Sequence, residues 1–261
     1  MDTHSALSGQ WVAFFDWDGT LSPDGACLAP GNAEAIERWR AAGHLAVLAT
    51  GRATVWLPER GAELCGDGLL AGAGAFVKIG DKQLIRRALD PADLTRYITW
   101  FLREGKTILV FEGEREAFVL NDTDRYGHCT PIREPLDFAA RYPDRVITKM
   151  TIPEREISPE MTALFADYDL IYNPTWIEVV PRGCSKAAGM YAMLDEWGIP
   201  HDHSIAFGDS GNDLAILTAA GIAVAMPHSP SECLEVATIV APPTKEGGVG
   251  QVLDRLLEYG I

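Results

Sequence analysis

Asp16 and Asp18 stand two residues apart at the end of an apolar run, Trp11-Val12-Ala13-Phe14-Phe15, with Gly19-Thr20-Leu21 behind them. The run reads as a buried strand and the glycine as a turn. Like charges this close resist joint ionisation, so packing gives no reason to place two acids here. A site that binds a metal and attacks phosphorus does give one. One carboxylate can be the nucleophile, and its neighbour can move protons. A bare pair of acids in this spacing is common in surface turns. The Phe14-Phe15 run before it and the Gly-Thr after it favour chemistry.

Three further polar clusters follow strand-like runs. Thr50-Gly51-Arg52 comes after Leu45–Ala49. A hydroxyl and backbone amides at a helix N-terminus suit a phosphate, although Thr50 could also simply cap the helix. Gly183-Cys184-Ser185-Lys186 opens a helix that runs to Trp197. A lysine in the first turn opposes the helix dipole, and an anion shared by the dipole and the ammonium resolves that conflict. Gly208-Asp209-Ser210-Gly211-Asn212-Asp213 follows the strand Ile205–Phe207. Carboxylates one helical turn apart can share a hard cation. A capping box on Ser210 would explain Asp213 but not Asp209. Together the four clusters supply acids for a Mg2+ site, a hydroxyl and a lysine for phosphate oxygens, and a nucleophile. Phosphate ester hydrolysis needs that kind of charge neutralisation.

The elements that must position these groups alternate. Trp11–Phe15, His44–Ala49 and a short Gly68–Ala71 read as strands, with helices over Pro30–Ala42 and Arg52–Leu64. From Trp176 the alternation resumes, with strands at Trp176–Val180, Ser204–Phe207 and Ile222–Ala225 and helices at Ser185–Trp197, Gly211–Ala220 and Glu246–Tyr259. This order predicts an α/β fold, a doubly wound Rossmann-like parallel sheet whose ligand crevice lies at the carboxyl ends of the strands. Between these halves the pattern changes. Ala75–Ile79 and Gln83–Arg86 flank a hairpin signal, Pro91–Glu104 reads as a helix, and Thr107–Phe111, Ala117–Leu120, Val146–Ile152 and Leu170–Tyr172 read as strands, with a helix near Pro159–Ala166. The expectation is a core of residues 1–78 and 179–261 carrying an inserted α+β cap at 79–178.

Composition narrows the partners. The 261 residues are 47% hydrophobic, enough for a sizeable core, and 37 acids against 22 bases give a formal charge of −15. That argues against nucleic acid and anionic membranes, which need a positive face. An anionic substrate then requires a bound cation to invert the local field. Cys27, Cys65, Cys129, Cys184 and Cys233 are scattered and odd in number, which predicts reduced thiols in a cytoplasmic protein. Met1 to Gln10 does not read as a secretory signal, and no apolar run approaches a membrane span. His201-x-His203 is expected to be a loop rather than a zinc site, and Trp17 to be packing. Asn121-Asp122-Thr123-Asp124-Arg125 has a calcium-like look but lacks the glycine and distal glutamate of an EF-hand. Gly247-Gly248-Val249-Gly250 is expected to be a turn.

At this point the chain resembles the haloacid dehalogenase superfamily of phosphatases, in particular its Cof-like (IIB) branch. The resemblance rests on Phe15-Asp16-Trp17-Asp18-Gly19-Thr20-Leu21, Ala49-Thr50-Gly51-Arg52, Pro181-Arg182-Gly183-Cys184-Ser185-Lys186, Phe207-Gly208-Asp209-Ser210-Gly211-Asn212-Asp213 and the later Gly221-Ile222-Ala223-Val224-Ala225-Met226. It implies that Asp16 attacks phosphorus and forms an aspartyl-phosphate. Asp18 would protonate the leaving oxygen and then activate water. Thr50, Gly51 and Lys186 would hold phosphoryl oxygens, and Asn212 would help hold the phosphate or Lys186. Asp16, the Asp18 carbonyl and Asp209 would bind Mg2+, with Asp213 supporting the site. In the superfamily, transport ATPases carry threonine at the position of Asp18 and dehalogenases lack this acid, so Asp18 points to phosphatase or phosphomutase chemistry. Trp17 is bulkier than the usual aliphatic residue between the acids, and Ala187 replaces a frequent glycine. The expected activity is a Mg2+-dependent phosphatase of a small phosphorylated metabolite, a sugar phosphate, with a hexose phosphomutase or a non-catalytic phospholigand sensor as the alternatives.

Overall fold

The computed structural model describes residues 9–105, 107–122 and 124–261. The N-terminal segment read above as no secretory signal lies mostly outside them. In chain order the strands and helices are β1 (Val12–Phe15), α1 (Asn32–Ala41), β2 (Leu45–Ala49), α2 (Glu59–Leu64), β3 (Gly68–Ala71), β4 (Phe76–Ile79), β5 (Lys82–Arg86), α3 (Pro91–Glu104), β6 (Leu109–Gly113), β7 (Ala117–Leu120), β8 (Thr130–Pro131), α4 (Phe138–Arg141), β9 (Ile147–Ile152), α5 (Pro159–Leu164), β10 (Tyr168–Tyr172), β11 (Ile177–Pro181), α6 (Lys186–Trp197), β12 (Ser204–Gly208), α7 (Leu214–Ala219), β13 (Ile222–Ala225), α8 (Ser231–Val236), β14 (Ile239–Val240) and α9 (Gly248–Glu258).

β1 has no polar residue, because both of its faces are covered. Ala13 and Phe15 point into a core built with Ile36 and Trp39 of α1 and Val249, Val252 and Leu253 of α9. Val12 and Phe14 point the other way, against Met190, Met193 and Leu194 of α6 and Ile216 and Leu217 of α7. This is the doubly wound arrangement expected from the alternation. The larger sheet runs β14-β13-β12-β1-β2-β3-β4-β5. It is parallel from β14 to β3, and β4 and β5 close it as an antiparallel hairpin. β1 therefore lies at its centre, in register with β12 on one side (Phe15 beside Phe207) and β2 on the other (Phe15 beside Leu48).

The smaller sheet runs β10-β11-β9-β6-β7-β8 and is antiparallel except for the β7–β8 pair. Its outer face packs Phe111, Phe118, Met150, Ile177 and Val179 against Leu94, Tyr97, Ile98 and Phe101 of α3, Phe138 of α4 and Met161 of α5. Its other face carries Val110 and Val119 together with charged residues described below.

Several expectations differ in detail. An insert bounded at 79 and 178 would split the β4–β5 hairpin, which belongs to the larger sheet, and would cut β11, which belongs to the smaller one. We propose a division near 87 and 182 instead. The expected helix Arg52–Leu64 is broken: a 3-10 turn spans Thr54–Trp56, and α2 starts only after Pro58. The residue before a proline is pushed out of helical backbone, and Leu57 is extended at ψ 135°. Gly211–Ala220 likewise begins with a 3-10 turn over Gly211–Asp213 before α7.

The remaining side expectations have packing answers. His203 stacks on Trp11, and His201 stacks on Tyr191 and pairs with Asp195 at 2.8 Å. Asp122 accepts the N–H groups of Asp124 and Arg125, which makes a turn of that loop, while Thr123 lies outside the described residues. Of the expected turn Gly247–Gly250 only Gly247 is one: it has φ +73°, and a Cβ there would meet the Pro30 carbonyl at 2.2 Å, while Gly248, Val249 and Gly250 already form the first turn of α9. All five cysteines are free. Among the described residues no helix is long and apolar enough to cross a membrane.

Candidate active site

The carboxyl ends of β1 and β12 are neighbours, and this places their polar clusters side by side. Asp16 follows β1 and its N–H donates to the Phe207 carbonyl at 3.0 Å. Asp209 follows β12. Lys186, first residue of α6, is fully buried. Its ammonium donates to Asp16 Oδ1 at 2.7 Å and to Asp213 Oδ1 at 2.5 Å. These two carboxylates supply counter-charge to a first-turn lysine that the helix dipole disfavours. Ser185 caps the same helix, accepting the Ala188 N–H at 3.1 Å.

Asp213 is a supporting acid. Its Oδ2 accepts the N–H groups of Asp209 (3.0 Å) and Ser210 (3.1 Å), and its Oδ1 is taken by Lys186. The capping box around Ser210 is therefore real, and it serves to hold the Asp209 loop. Asp209 Oδ1 accepts from the Thr20 hydroxyl at 3.3 Å, and its Oδ2 lies 3.2 Å from His228 Nε2. Gly19, with φ +83°, passes directly beneath this carboxylate, and a Cβ there would lie 2.3 Å from Asp209 Oδ2. No larger residue fits that position.

Asp16, Asp209 and Asp213 each offer a carboxylate oxygen within 4.8 Å of the others. All three are hard oxygen donors of the kind that bind Mg2+ or Ca2+. Burial pushes the Asp16 carboxyl well above the ordinary range; Lys186 opposes this, while Asp213 and Asp209 add to it. Burial likewise raises Asp209 to about 6, with Asp213 adding and His228 and Lys186 opposing. For Lys186, the pull of Asp16 and Asp213 outweighs burial and raises its pKa. One ammonium among three carboxylates, two of them buried, leaves the cluster short of positive charge, so the donor set fits a divalent cation. Asp213 is committed to the Lys186 ammonium and two backbone N–H groups, and we propose the other two acids, Asp16 and Asp209, as the ligands.

This gives a pH prediction. An acid whose folded pKa is raised opposes folding once it ionises. Metal-free protein is therefore expected to lose stability as pH rises from about 4, the ordinary aspartate value, through the raised value of Asp209, about 6. A divalent cation at 100 times its dissociation constant should return about 2.7 kcal/mol at neutral pH. Thermal melts across pH with and without Mg2+ check this, and Asp209→Asn should flatten both responses.

Asp18 is placed differently. Its side chain is half exposed and forms a bidentate pair with Arg52, Nε to Oδ2 at 2.7 Å and Nη2 to Oδ1 at 2.6 Å. Arg52 also donates to the Gly25 carbonyl at 2.8 Å, as does Trp17 Nε1 at 2.9 Å. Trp17 itself is buried packing, as expected. The Asp18 carboxylate is not among the three that share the cluster.

Thr50 is buried at the end of β2, and its hydroxyl accepts the Arg52 N–H at 3.1 Å. It caps no α-helix, because none starts there. Gly51 lines the cavity, and a Cβ on it would lie 2.6 Å from Asn212 Nδ2. Asn212 faces this cavity and Gly51, while Lys186 bonds to Asp16 and Asp213. Of the two partners expected for Asn212, the position suits the substrate.

A cavity of about 300 Å³ joins these groups, lined on the core side by Asp16, Asp18, Gly51, Arg52, Asp209 and Asn212. Its opposite wall comes from the smaller sheet: Glu112, Lys149, Trp176 and Glu178. Lys149 reaches across to the Gly51 carbonyl at 3.0 Å and so ties the two sheets together over the site. Arg52 was quoted within its motif but given no role, and these four residues were not singled out by sequence reasoning. The signal was available in Ile147-Thr-Lys-Met-Thr-Ile and Ile177-Glu-Val-Val, charged residues inside apolar strands.

An α/β core with an acid directly after its central strand β1, and a small sheet closing the cavity, is the architecture of a known hydrolase class. The family model for haloacid dehalogenase-like hydrolases matches residues 13–253, and the chain belongs to this family. Among relatives, it is 27% identical over 247 residues to the 5-amino-6-(5-phospho-D-ribitylamino)uracil phosphatase YcsE of Bacillus subtilis, covering 91% of this chain and 92% of that one. It is 28% identical over 255 residues to a Streptococcus pyogenes protein named "Putative bifunctional phosphatase/peptidyl-prolyl cis-trans isomerase"; that match takes 94% of this chain but only 53% of the other, so the chain spans about half of its length. The fold matches the HAD subclass IIB sugar phosphatase BT4131 with a TM-score of 0.79 at 22% identity, over 95% of this chain and 99% of that one.

Proposed function

We propose that the protein is a Mg2+-dependent phosphatase of a small phosphorylated metabolite, a sugar phosphate, working through an aspartyl-phosphate. The observation that carries this reading is the placement of Asp16. It directly follows the central strand, is held by a buried lysine, shares a carboxylate cluster with Asp209 and opens into a cavity lined by Asp18, Gly51 and Asn212. The phosphatase names of the relatives support hydrolysis over phosphoryl transfer to a second sugar. The free thiols support a reducing, cytoplasmic setting.

In the proposed reaction an Asp16 oxygen attacks phosphorus, forming the acyl phosphate while the ester P–O bond breaks. Asp18, protonated, gives its proton to the departing alkoxide. Its carboxylate then takes a proton from water as that water attacks phosphorus; the acyl P–O bond breaks, and Asp16 and inorganic phosphate are released. Lys186, the amides of the Thr50–Gly51 turn and Asn212 hold phosphoryl oxygens. Asp16 and Asp209 would hold Mg2+, which would supply charge neutralisation for the phosphoryl group. The Arg52 pair occupies both Asp18 oxygens, so one must leave the guanidinium before Asp18 can pass a proton on.

The leaving group therefore sets how much Asp18 matters. Asp18→Asn is expected to lower kcat by roughly 10²–10⁴-fold on an alkyl phosphate, whose alkoxide needs a proton. With p-nitrophenyl phosphate, whose phenolate leaves unaided, the loss in the first step should be smaller. Burst kinetics on both substrates check it, and equal losses in the burst would remove Asp18 as the general acid. The proposal as a whole is tested by phosphate release across a panel of phosphorylated metabolites with Mg2+ and with EDTA. Turnover that survives chelation would overturn the metal requirement.

A further inference from the structure

The cavity wall opposite Asp16 is charged, and its charges are arranged asymmetrically. Glu112, Lys149 and Glu178 sit on three neighbouring strands of the smaller sheet and are all buried. Lys149 Nζ donates to Glu178 Oε1 at 2.7 Å and to the Gly51 carbonyl at 3.0 Å, and stands 3.7 Å from Glu112 Oε1. An ammonium has three protons, so this one is occupied by the protein itself and has little left for a substrate anion. Glu112 Oε1 takes the Thr151 hydroxyl as well. Trp176 Nε1 reaches Glu178 Oε1 at 3.4 Å. Glu178 Oε2 is different: it is buried, and among the described residues it has no hydrogen-bond partner. Glu178 is only 3% exposed and lines the cavity. A buried carboxylate oxygen without a donor costs free energy, and the site recovers that cost only when something brings a donor to it.

We infer that this wall reads the leaving group, with Glu178 Oε2 and the neighbouring Glu112 accepting hydrogen bonds from its hydroxyl or ammonium groups. The inference rests on the phosphatase reading above and narrows its substrate. Two carboxylates against one ammonium make the wall an acceptor surface of net negative charge. It suits a polar ester: one phosphate at the Asp16 end, and hydroxyls or an amine at the other. It turns away an ester with a second phosphate or a carboxylate, because like charges in a buried site repel strongly. The cavity lies at the small end of ligand sites, so the leaving group is compact. The substrate class is thus the monophosphate of a polyol, simple sugar or amino sugar. Bisphosphates, phospho-carboxylic acids and nucleoside polyphosphates are excluded.

The test is a selectivity ratio. With Mg2+ present, kcat/KM is measured for glucitol 6-phosphate and glucosamine 6-phosphate against fructose 1,6-bisphosphate and 3-phosphoglycerate. The wild type should favour the first pair by about 100-fold or more, the range a site built on buried hydrogen-bonding groups can deliver. Glu178→Gln and, separately, Glu112→Gln keep the side-chain volume and remove a charge, and each should shrink that ratio by about 10-fold. A wild-type preference for the doubly anionic esters, or a ratio untouched by both substitutions, overturns the inference. If the wild type releases phosphate from no ester, p-nitrophenyl phosphate included, the phosphatase reading fails. The same ratio is then read as dissociation constants by calorimetry on the wild type, and equal affinity for the two ester classes would overturn the inference on its own.

Discussion

Asp16→Asn is expected to abolish phosphate release without unfolding the protein. Removing a nucleophile that acts as part of a unit typically costs roughly 10⁴–10⁶-fold in kcat. Asparagine matches the shape of aspartate and its oxygen can still accept from Lys186, so local packing survives. Stability should hold or rise. Burial pushes the Asp16 carboxyl up, which means that its ionised form opposes folding in the absence of a cation. Losing that charge leaves Lys186 with Asp213 at 2.5 Å, a closer balance than one ammonium among three acids. The two readouts are a phosphate-release assay with Mg2+ and a melt at neutral pH without metal. Turnover near the wild-type rate removes Asp16 as nucleophile whatever the melt shows. A sharp drop in melting temperature would mean that the carboxylate holds the fold together instead of straining it.

What the sequence made legible depends on how local the physics is. The approach of Asp16 to Asp209 and Asp213 could be read, because each acid ends or follows an apolar run, and parallel strands in a doubly wound sheet bring their carboxyl ends to one edge. The register Phe15 beside Phe207 is what turns that rule into a contact. The Asp18–Arg52 pair could not be read. It depends on the chain turning at Pro58 and on Gly25, where a Cβ would lie 2.6 Å from Asp18 Oδ1, so a loop well outside the motif sets where that carboxylate points. The hairpin was recognised from Gly80-Asp81-Lys82, but hairpin chemistry carries no information about which sheet it joins. β4 joins the larger one because Leu70 pairs with Val77. Lys149 and Glu178 were visible as charged residues within strands, whereas Glu112 lies just past the strand expected to end at Phe111 and belongs to β6 in the structure. Period-two alternation says that such residues share a face, but not that this face looks onto a catalytic cavity. That relation belongs to the packing of two separate sheets, which no single segment encodes.

Lys186→Met should be the most damaging substitution for the fold, and its damage should be electrostatic. Lys186 is fully exposed to neither solvent nor salt: its side chain has 0% accessibility, and Asp213 beside it also has 0%. Methionine fills much of the same volume, so the cavity term is small. It leaves Asp16 and Asp213 facing each other without a counter-ion, and breaking a buried pair in this way costs about 3–5 kcal/mol. Activity should vanish with it, since the phosphoryl group loses its ammonium. The loss of stability should shrink on acidification, because carboxylates that protonate no longer need a partner. A merely steric defect would be insensitive to pH. The double variant Lys186→Met/Asp213→Asn separates the causes further. Its amide oxygen can keep the N–H groups of Asp209 and Ser210 that Asp213 Oδ2 now accepts, while one of the stranded charges is gone. It should recover a measurable part of the stability in chemical denaturation while remaining inactive. If the double variant is no more stable than Lys186→Met alone, charge is not what this lysine contributes, and the account of the site as a carboxylate cluster balanced by one ammonium and a bound cation fails at its centre.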